Sequence, residues 1–390
     1  MVGQALTSVA IIGGGPGGLG TAIALSQLPF LKVTLYEKNP EPREAGAGIS
    51  LTTNAWKVLD LLGASEGVKG GSKSNTHQRN AYTGKVLSVV ENPENSQGQS
   101  RGAIRARRTR LQSALLAQVP EGIIQYSRKL VALENLPGQS TRLIFDDQTE
   151  AIAHLVVGAD GLHSIIRKTL FKDHELRFTG NSAFRVLVPK SRLAHIPDIT
   201  STTSWWWGED GHVYLSDVDE EGENDHPLFE ITKFDQRLRD AVSAVQEGEW
   251  REFATFAGPR LDKITGWKKI ALIGDASHPL SGAFGSGATF AMEDGWILAR
   301  ALELTQQSSH PVQDALKIFD QIRSPYYSKM YHHLDETKAK LQASKAETDS
   351  FDAFLQNKID TFLYGDKDFI YKNDIQKVWT DYVIEHGYLT

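Results

Sequence analysis

The sequence predicts an α/β fold: a parallel sheet flanked by helices, interrupted by an inserted antiparallel β-sheet domain and closed by a helical C-terminal segment. Three observations predict it. Apolar strands end on glycine-rich turns at three separated places, near residues 13, 158 and 274. From Arg177 to Trp250 the pattern changes to short alternating runs divided by turns, the mark of antiparallel pairing. From Pro311 onward the chain has helical spacing and is polar on one face.

The first element is a βαβ unit from Ser8 to Glu37. Ser8 to Ile12 is a short β-branched run, Gly13 to Gly18 a glycine turn, Leu19 to Leu28 a helix, and Lys32 to Tyr36 a second strand that ends on Glu37. The glycines fall at G-x-G-x-x-G positions. Gly13 permits the tight turn, Gly15 lets backbone approach a pyrophosphate, and Gly18 lets the helix sit close on the sheet. First-turn N–H groups and the positive end of the helix dipole then face the phosphates, and Glu37 can accept from a ribose hydroxyl. The unit predicts a Rossmann-like domain and an adenine dinucleotide, without separating FAD from NAD.

Composition narrows the class. The chain has 390 residues, enough for two or three domains, and a formal net charge of −6, which gives no support to nucleic-acid or anionic-membrane binding. No apolar stretch reaches a membrane span, and no signal segment is evident before the glycine turn, so we expect a cytoplasmic protein. There are no cysteines. That excludes disulfide scaffolds, thiolate metal sites, cysteinyl-linked flavin and the redox dithiol of disulfide reductases. No metal site is expected.

Farther on, Ala45 to Leu51 is a small-residue run able to pass close to a flat ligand, and Asn54 to Leu62 is a helix closed by Gly63. Gln78 to Val90 alternates like edge strands. A helix starts near Arg108, preceded by arginines that on composition alone form a solvated face. Leu155 to Gly158 is a buried strand that turns at Asp160-Gly161 into a helix, and Asp160 is open to a helix N-cap reading. Strands are expected over 182–188, 204–207, 212–216 and 228–232, with Trp205-Trp206-Trp207 as sheet packing. Lys269 to Ile273 runs into Gly274-Asp275, and a helix follows from Thr289 to Leu304.

Taken together, G-x-G-x-x-G with Glu37, Gly-Ala-Asp-Gly at 158–161 and Gly-Asp at 274–275 resemble the single-component FAD-dependent aromatic hydroxylases, the salicylate-hydroxylase-like flavoprotein monooxygenases of fungal type. The resemblance covers residues 8 to about 325. It implies non-covalent FAD, with Gly13, Gly15, Gly18 and Glu37 on the adenosine and pyrophosphate side. It also implies Arg43 and Arg108 beside the phosphates or ribityl chain, Gly48 among the cofactor contacts, and Asp160 associated with both FAD and the passing nicotinamide. Asp275 would take a ribityl hydroxyl, and the N–H groups of Gly285, Gly287 and Ala288 would meet the flavin edge. The chain departs from the family at Thr53, Ser281-Gly282 and Thr289.

The resemblance implies NADPH or NADH as a transient co-substrate, O₂, and hydroxylation of a small phenolic or benzoate-like aromatic through a flavin C4a-hydroperoxide. The alternatives are an FAD oxidase or dehydrogenase that inserts no oxygen, and a nucleotide-bound scaffold. Arg185 and Tyr214, both expected on the inserted sheet, are the candidate catalytic residues; a strand arginine paired with an acid and a tyrosine in sheet packing are the plainer readings. The expected division is 1–73, 100–176 and 268–330 for cofactor, 74–99 and 177–267 for substrate, and 331–390 as the helical segment. Substrate identity and oligomeric state are not in the sequence.

Overall fold

The computed structural model describes residues 6–42, 48–72, 75–91, 101–200, 202–218, 223–225, 232–280, 282–344 and 350–388. A six-stranded sheet organises it, in the order Thr265–Gly266, Ile270–Leu272, Leu155–Gly158, Thr7–Ile12, Leu31–Tyr36, Ile124–Gln125. All neighbours pair in parallel except the two outermost strands at 265–272. The inner strands are continuous apolar runs because helices and a small sheet cover both faces, and Leu155, Val156 and Val157 are fully buried.

Helix Pro16–Ser26 lies against helix Gly287–Thr305 at very close range. A Cβ on Gly17 would stand 2.7 Å from the Cβ of Ala291, and one on Gly295 would stand 2.1 Å from Thr21 Oγ1. Residues 17 and 21 meet 291 and 295 in the same order, so the two helices run parallel. Their N-termini therefore open at the same edge of the sheet, beyond the carboxyl ends of its strands, where doubly wound sheets place their ligands.

Smaller sheets flank this core, three of which bear on the site. Strands Gly48–Leu51 and Gly71–Ser72 pair with Ile104–Arg107. Thr203–Trp207 lies between His212–Leu215, antiparallel, and Thr76–Asn80, parallel, with Val86–Val90 outside. Arg177–Arg185 pairs with Arg251–Ala257 as a two-stranded ribbon. Helix Phe351–Leu363 packs Leu355 and Ile359 against Trp207 on the four-stranded sheet.

Several expectations are corrected. Of the two strands expected as edges, only Val86–Val90 is one; Thr76–Asn80 is interior. The insert is not wholly antiparallel, since Thr203–Trp207 pairs in parallel with Thr76–Asn80. Helix Pro311–Ser344 runs unbroken through the expected boundary at residue 331. The strand expected at 228–232 falls, but for its last residue, outside the described residues. The tryptophan run is sheet packing, with Trp206 and Trp207 buried.

Candidate active site

The glycine turn has the geometry its spacing predicts. Gly13 has φ +111°, and a Cβ there would meet the Ala159 carbonyl oxygen at 2.4 Å; a Cβ on Gly18 would meet the Gly13 carbonyl at 1.9 Å. Gly15 differs, since a Cβ there would meet nothing within 4 Å. The turn is thus closed behind Gly13 and Gly18 and open in front of Gly15. Helix Pro16–Ser26 carries no side-chain cap and begins on Pro16, leaving its first-turn N–H groups available. Glu37 sits over the turn: Gly14 N–H donates to Oε2 at 2.7 Å, and Asn39 donates its backbone N–H (2.8 Å) and Nδ2 (2.6 Å) to Oε1.

The middle and late turns are tied together. Asp160 accepts at Oδ2 from Ile165 N–H (2.8 Å) and Ile166 N–H (3.3 Å) at the start of helix Ile165–Leu170, the capping role open to it from the sequence. Burial pushes its carboxyl up, and the Ser164 hydroxyl and these N–H groups pull it back. Arg167, 1% exposed, donates to the carbonyls of Asp275 (2.8 Å), Ala276 (2.9 Å) and Leu162. It clamps one strand-end turn to the other.

Asp275 is exposed to water, yet desolvation raises its carboxyl while Arg108 and Arg167 lower it. Arg108 is likewise exposed, and desolvation lowers it, opposed by Asp275 and reinforced by Arg185. A side chain that water touches although protein surrounds it lines a deep concave cleft. Arg108 feels the charges of both Asp275 and Arg185, so the three side chains, distant in sequence, lie in one neighbourhood.

At the far side Ser286 precedes helix Gly287–Thr305 without a side-chain cap. Gly287 is exposed and Ala288 half-buried. Gly285 corrects the expectation, because its N–H donates to the Gly282 carbonyl at 3.1 Å and is spent inside the loop. Gly48 is corrected too: it is buried, and a Cβ there would meet Arg105 Nη2 at 2.4 Å, so its close approach is to a guanidinium and not to an open cleft. Arg43 lies outside the described residues.

Arg185 and Tyr214 stand on different sheets, not one. Arg185 lies over the Phe253 ring at 5.4 Å, and among the described residues no carboxylate pairs with it. The acid beside it in the ribbon, Glu252, accepts from Ser182 Oγ at 2.7 Å on the other face. Tyr214 packs on Trp205 (4.6 Å) and under the buried Arg105 (5.3 Å), which itself donates to Ser50 and Ser216 hydroxyls. Burial pushes the neighbouring His212 down to about 4, leaving it neutral.

Sequence reasoning missed Arg167, Arg105 and Arg251, the last standing directly opposite Arg185 in the ribbon register. Arg105 lies in the arginine run before Arg108 but turns inward, and nothing local marks Arg167, which its helix aims at the late turn, or Arg251, which only strand pairing sets beside Arg185. An open hollow of about 440 Å³ lined by Trp56, Lys69, Gly70 and Arg101 shares none of these residues. Its arginine is already paired with Asp60 and Glu66, so the chemistry is not there.

Comparison with known proteins decides the family. A family model described as an FAD binding domain matches residues 6–332. The chain is 30% identical over 345 residues to the 3-amino-4-hydroxybenzoate 2-monooxygenase of Streptomyces platensis, covering 81% of this chain and 84% of that one. It belongs to the FAD-dependent monooxygenases. A second relative, the 6-methylsalicylate 1-monooxygenase of Aspergillus terreus, is 28% identical over 364 residues, covering 81% and 79%. The fold is also that of Klebsiella pneumoniae HpxO, solved with FAD and uric acid, at a TM-score of 0.75 and 19% identity over 96% of this chain and 97% of that one. FAD is the cofactor of this monooxygenase. The cleft suits it, with open space at Gly15, two uncapped helix N-termini on one edge, and Glu37 and Asp275 at strand ends. Among the described residues no helix is long and apolar enough to cross a membrane.

Proposed function

We propose that this monooxygenase consumes NADPH or NADH and O₂ to hydroxylate a small phenolic or benzoate-like aromatic. The observation that carries the proposal is Arg185, a half-buried guanidinium without a carboxylate partner among the described residues, in the same neighbourhood as Arg108 and Asp275. Such a cation binds an ionised phenol or carboxylate bidentately and favours the anion, which enriches the ring carbon to be hydroxylated. The relatives' names fit, since both act on hydroxybenzoates by those names.

Bound FAD supplies the electron relay to O₂. In this reading Glu37 holds the adenosine ribose, Gly13, Gly15 and Gly18 admit the pyrophosphate, and Arg43 and Arg108 neutralise phosphate charge. Asp275 accepts from the ribityl chain, and the Gly287 and Ala288 N–H groups stabilise charge on the flavin edge. Tyr214, whose hydroxyl makes no hydrogen bond among the described residues, would donate to the substrate oxygen, and Arg251 would add a second cation opposite Arg185. The division into cofactor (1–73, 100–176 and from 268) and substrate (74–99, 177–267) segments belongs to the same proposal, with helix Pro311–Ser344 carrying the chain from the cofactor segment into the C-terminal one, as does a cytoplasmic location.

The experiment is a panel of phenols and benzoates mixed with enzyme and NADH or NADPH, following nicotinamide oxidation and product mass. The reading expects substrate-stimulated oxidation and a product heavier by one oxygen atom. Nicotinamide-independent oxidation of an amine or alcohol would overturn it.

A further inference from the structure

The loop that carries Asp275 is held from behind by a buried network that the cleft does not use. Gly274 adopts φ +55° and donates its N–H to Asp294 Oδ2 at 2.9 Å. Tyr327 donates its hydroxyl to the same oxygen at 2.7 Å, and Arg323 Nε donates to Oδ1 at 2.6 Å. Asp294 is fully buried, and Arg323 and Tyr327 are 1% exposed. The adjacent Glu293, equally buried, has weaker contacts: Arg323 Nη2 at 3.3 Å and Asn373 Nδ2 at 3.0 Å.

Two carboxylates thus share one buried guanidinium, and His278, stacked on Tyr327 at 3.6 Å, is kept neutral by burial. A buried carboxylate is tolerated only where donors surround it. Asp294 has three donors at 2.9 Å or less, one of them the backbone of the cofactor loop. Glu293 has none of that quality and touches no loop atom. From the opposite side Arg167 takes the Asp275 and Ala276 carbonyls, and Ser277 Oγ donates to the Gly274 carbonyl at 2.7 Å. The loop is therefore pinned through its N–H by Asp294 and through its carbonyls by Arg167 and Ser277.

We propose that Asp294, held by Arg323 and Tyr327, is a positioning residue that fixes the Gly274 N–H and so aims the Asp275 carboxylate into the FAD cleft, while its neighbour Glu293 has no part in that positioning. The inference rests on reading Asp275 as an FAD contact. It assigns different roles to two adjacent acids that meet the same arginine.

The test is FAD titration of apoprotein by flavin fluorescence, with melting temperature of each apoprotein recorded alongside. Asp294→Asn should weaken FAD by roughly tenfold or more, the scale of a lost charged hydrogen bond. Glu293→Gln should stay within about twofold of wild type, a difference too small to count as one lost hydrogen bond. Because Asp294→Asn risks unfolding, Tyr327→Phe serves as the milder variant. It should leave the apoprotein folded with a modestly lower melting temperature and weaken FAD by about threefold, whereas the equally buried Glu293→Gln leaves FAD affinity unchanged, a split that a general stability role would not produce. Asp275→Ala separates the two levels. If it leaves FAD affinity unchanged, the site reading fails. If it weakens FAD while Tyr327→Phe and a folded Asp294→Asn bind like wild type, the positioning role is overturned. Equal losses in Glu293→Gln and Asp294→Asn would overturn the division of roles.

Discussion

The turns that suit the cofactor and the ribbon proposed to meet the substrate are built differently. On the cofactor side, turns leave fully buried parallel strands and are fixed by backbone: the Gly13 carbonyl against Gly18, the Ala159 carbonyl against Gly13, Asp294 on the Gly274 N–H. On the substrate side, a two-stranded ribbon exposes Phe178 (54%) and Phe253 (42%) and carries Arg185 and Arg251 face to face. Like charges directly opposite in a ribbon are unfavourable unless an anion joins them. The cofactor side is thus held by its own packing, and in the proposed reading the Arg185 and Arg251 pair is completed by an anionic substrate.

The largest expected effect breaks the cofactor side. Gly18→Ala places a methyl 1.9 Å from the Gly13 carbonyl, so soluble protein should fall sharply and any that remains should carry no flavin. Gly15→Ala sharpens the contrast: with nothing within 4 Å it should keep the wild-type apoprotein melting temperature and lose FAD affinity. Equal melting losses in both would show that Gly15 is structural.

Next in size is a pH effect inside the network. Burial raises Glu293 from 4.5 to about 7, against the pull of Arg323 and Asn373, with Asp294 adding to the rise. A carboxyl raised in the folded state contributes stability that is whole below its unfolded value and is lost as pH climbs through the folded one. Wild-type stability should fall between about pH 4.5 and 7 by on the order of 3 kcal/mol from this group. Denaturant unfolding of Glu293→Gln should lack that component and show higher stability than wild type at pH 8. Parallel pH profiles would contradict it.

Asp275→Ala should follow, costing roughly 1.5 to 3 kcal/mol of FAD affinity, or about tenfold to hundredfold, as a charge-assisted hydrogen bond does. Unchanged titration of a folded variant removes Asp275 from the ligand set. Arg185→Ala acts on the other side. FAD affinity should hold while substrate-stimulated nicotinamide oxidation drops and uncoupled peroxide rises; unchanged kcat and KM would remove Arg185 from the pocket. Arg251→Ala should raise KM for carboxylated substrates more than for neutral phenols, by a smaller factor.

How much of this was readable in the sequence follows the same division. Glycine spacing and strand-end acids are local, so Gly13, Gly15, Gly18, Glu37 and Asp275 fall at the turns where the spacing put them. Gly48 and Gly285 were misjudged because a glycine does not say why it is one: at Gly48 Arg105 comes close, and at Gly285 the backbone turns with φ +65° and spends its N–H on the Gly282 carbonyl. Strand partnership is nonlocal. Alternation located the strands of Arg185 and Tyr214 but not their separate sheets, and nothing near Arg251 announces its partner. Arg323 lies 29 residues from Asp294, on another helix, and only packing joins them.

Under the proposed function the enzyme inserts oxygen into an anionic aromatic. The most direct measurement incubates enzyme, NADH or NADPH and the best hydroxybenzoate of the panel under heavy-isotope O₂ and weighs the product. One heavy oxygen atom is expected in the hydroxylated ring for each nicotinamide oxidised. Nicotinamide consumed with all heavy oxygen recovered as peroxide, across the whole panel, would contradict it.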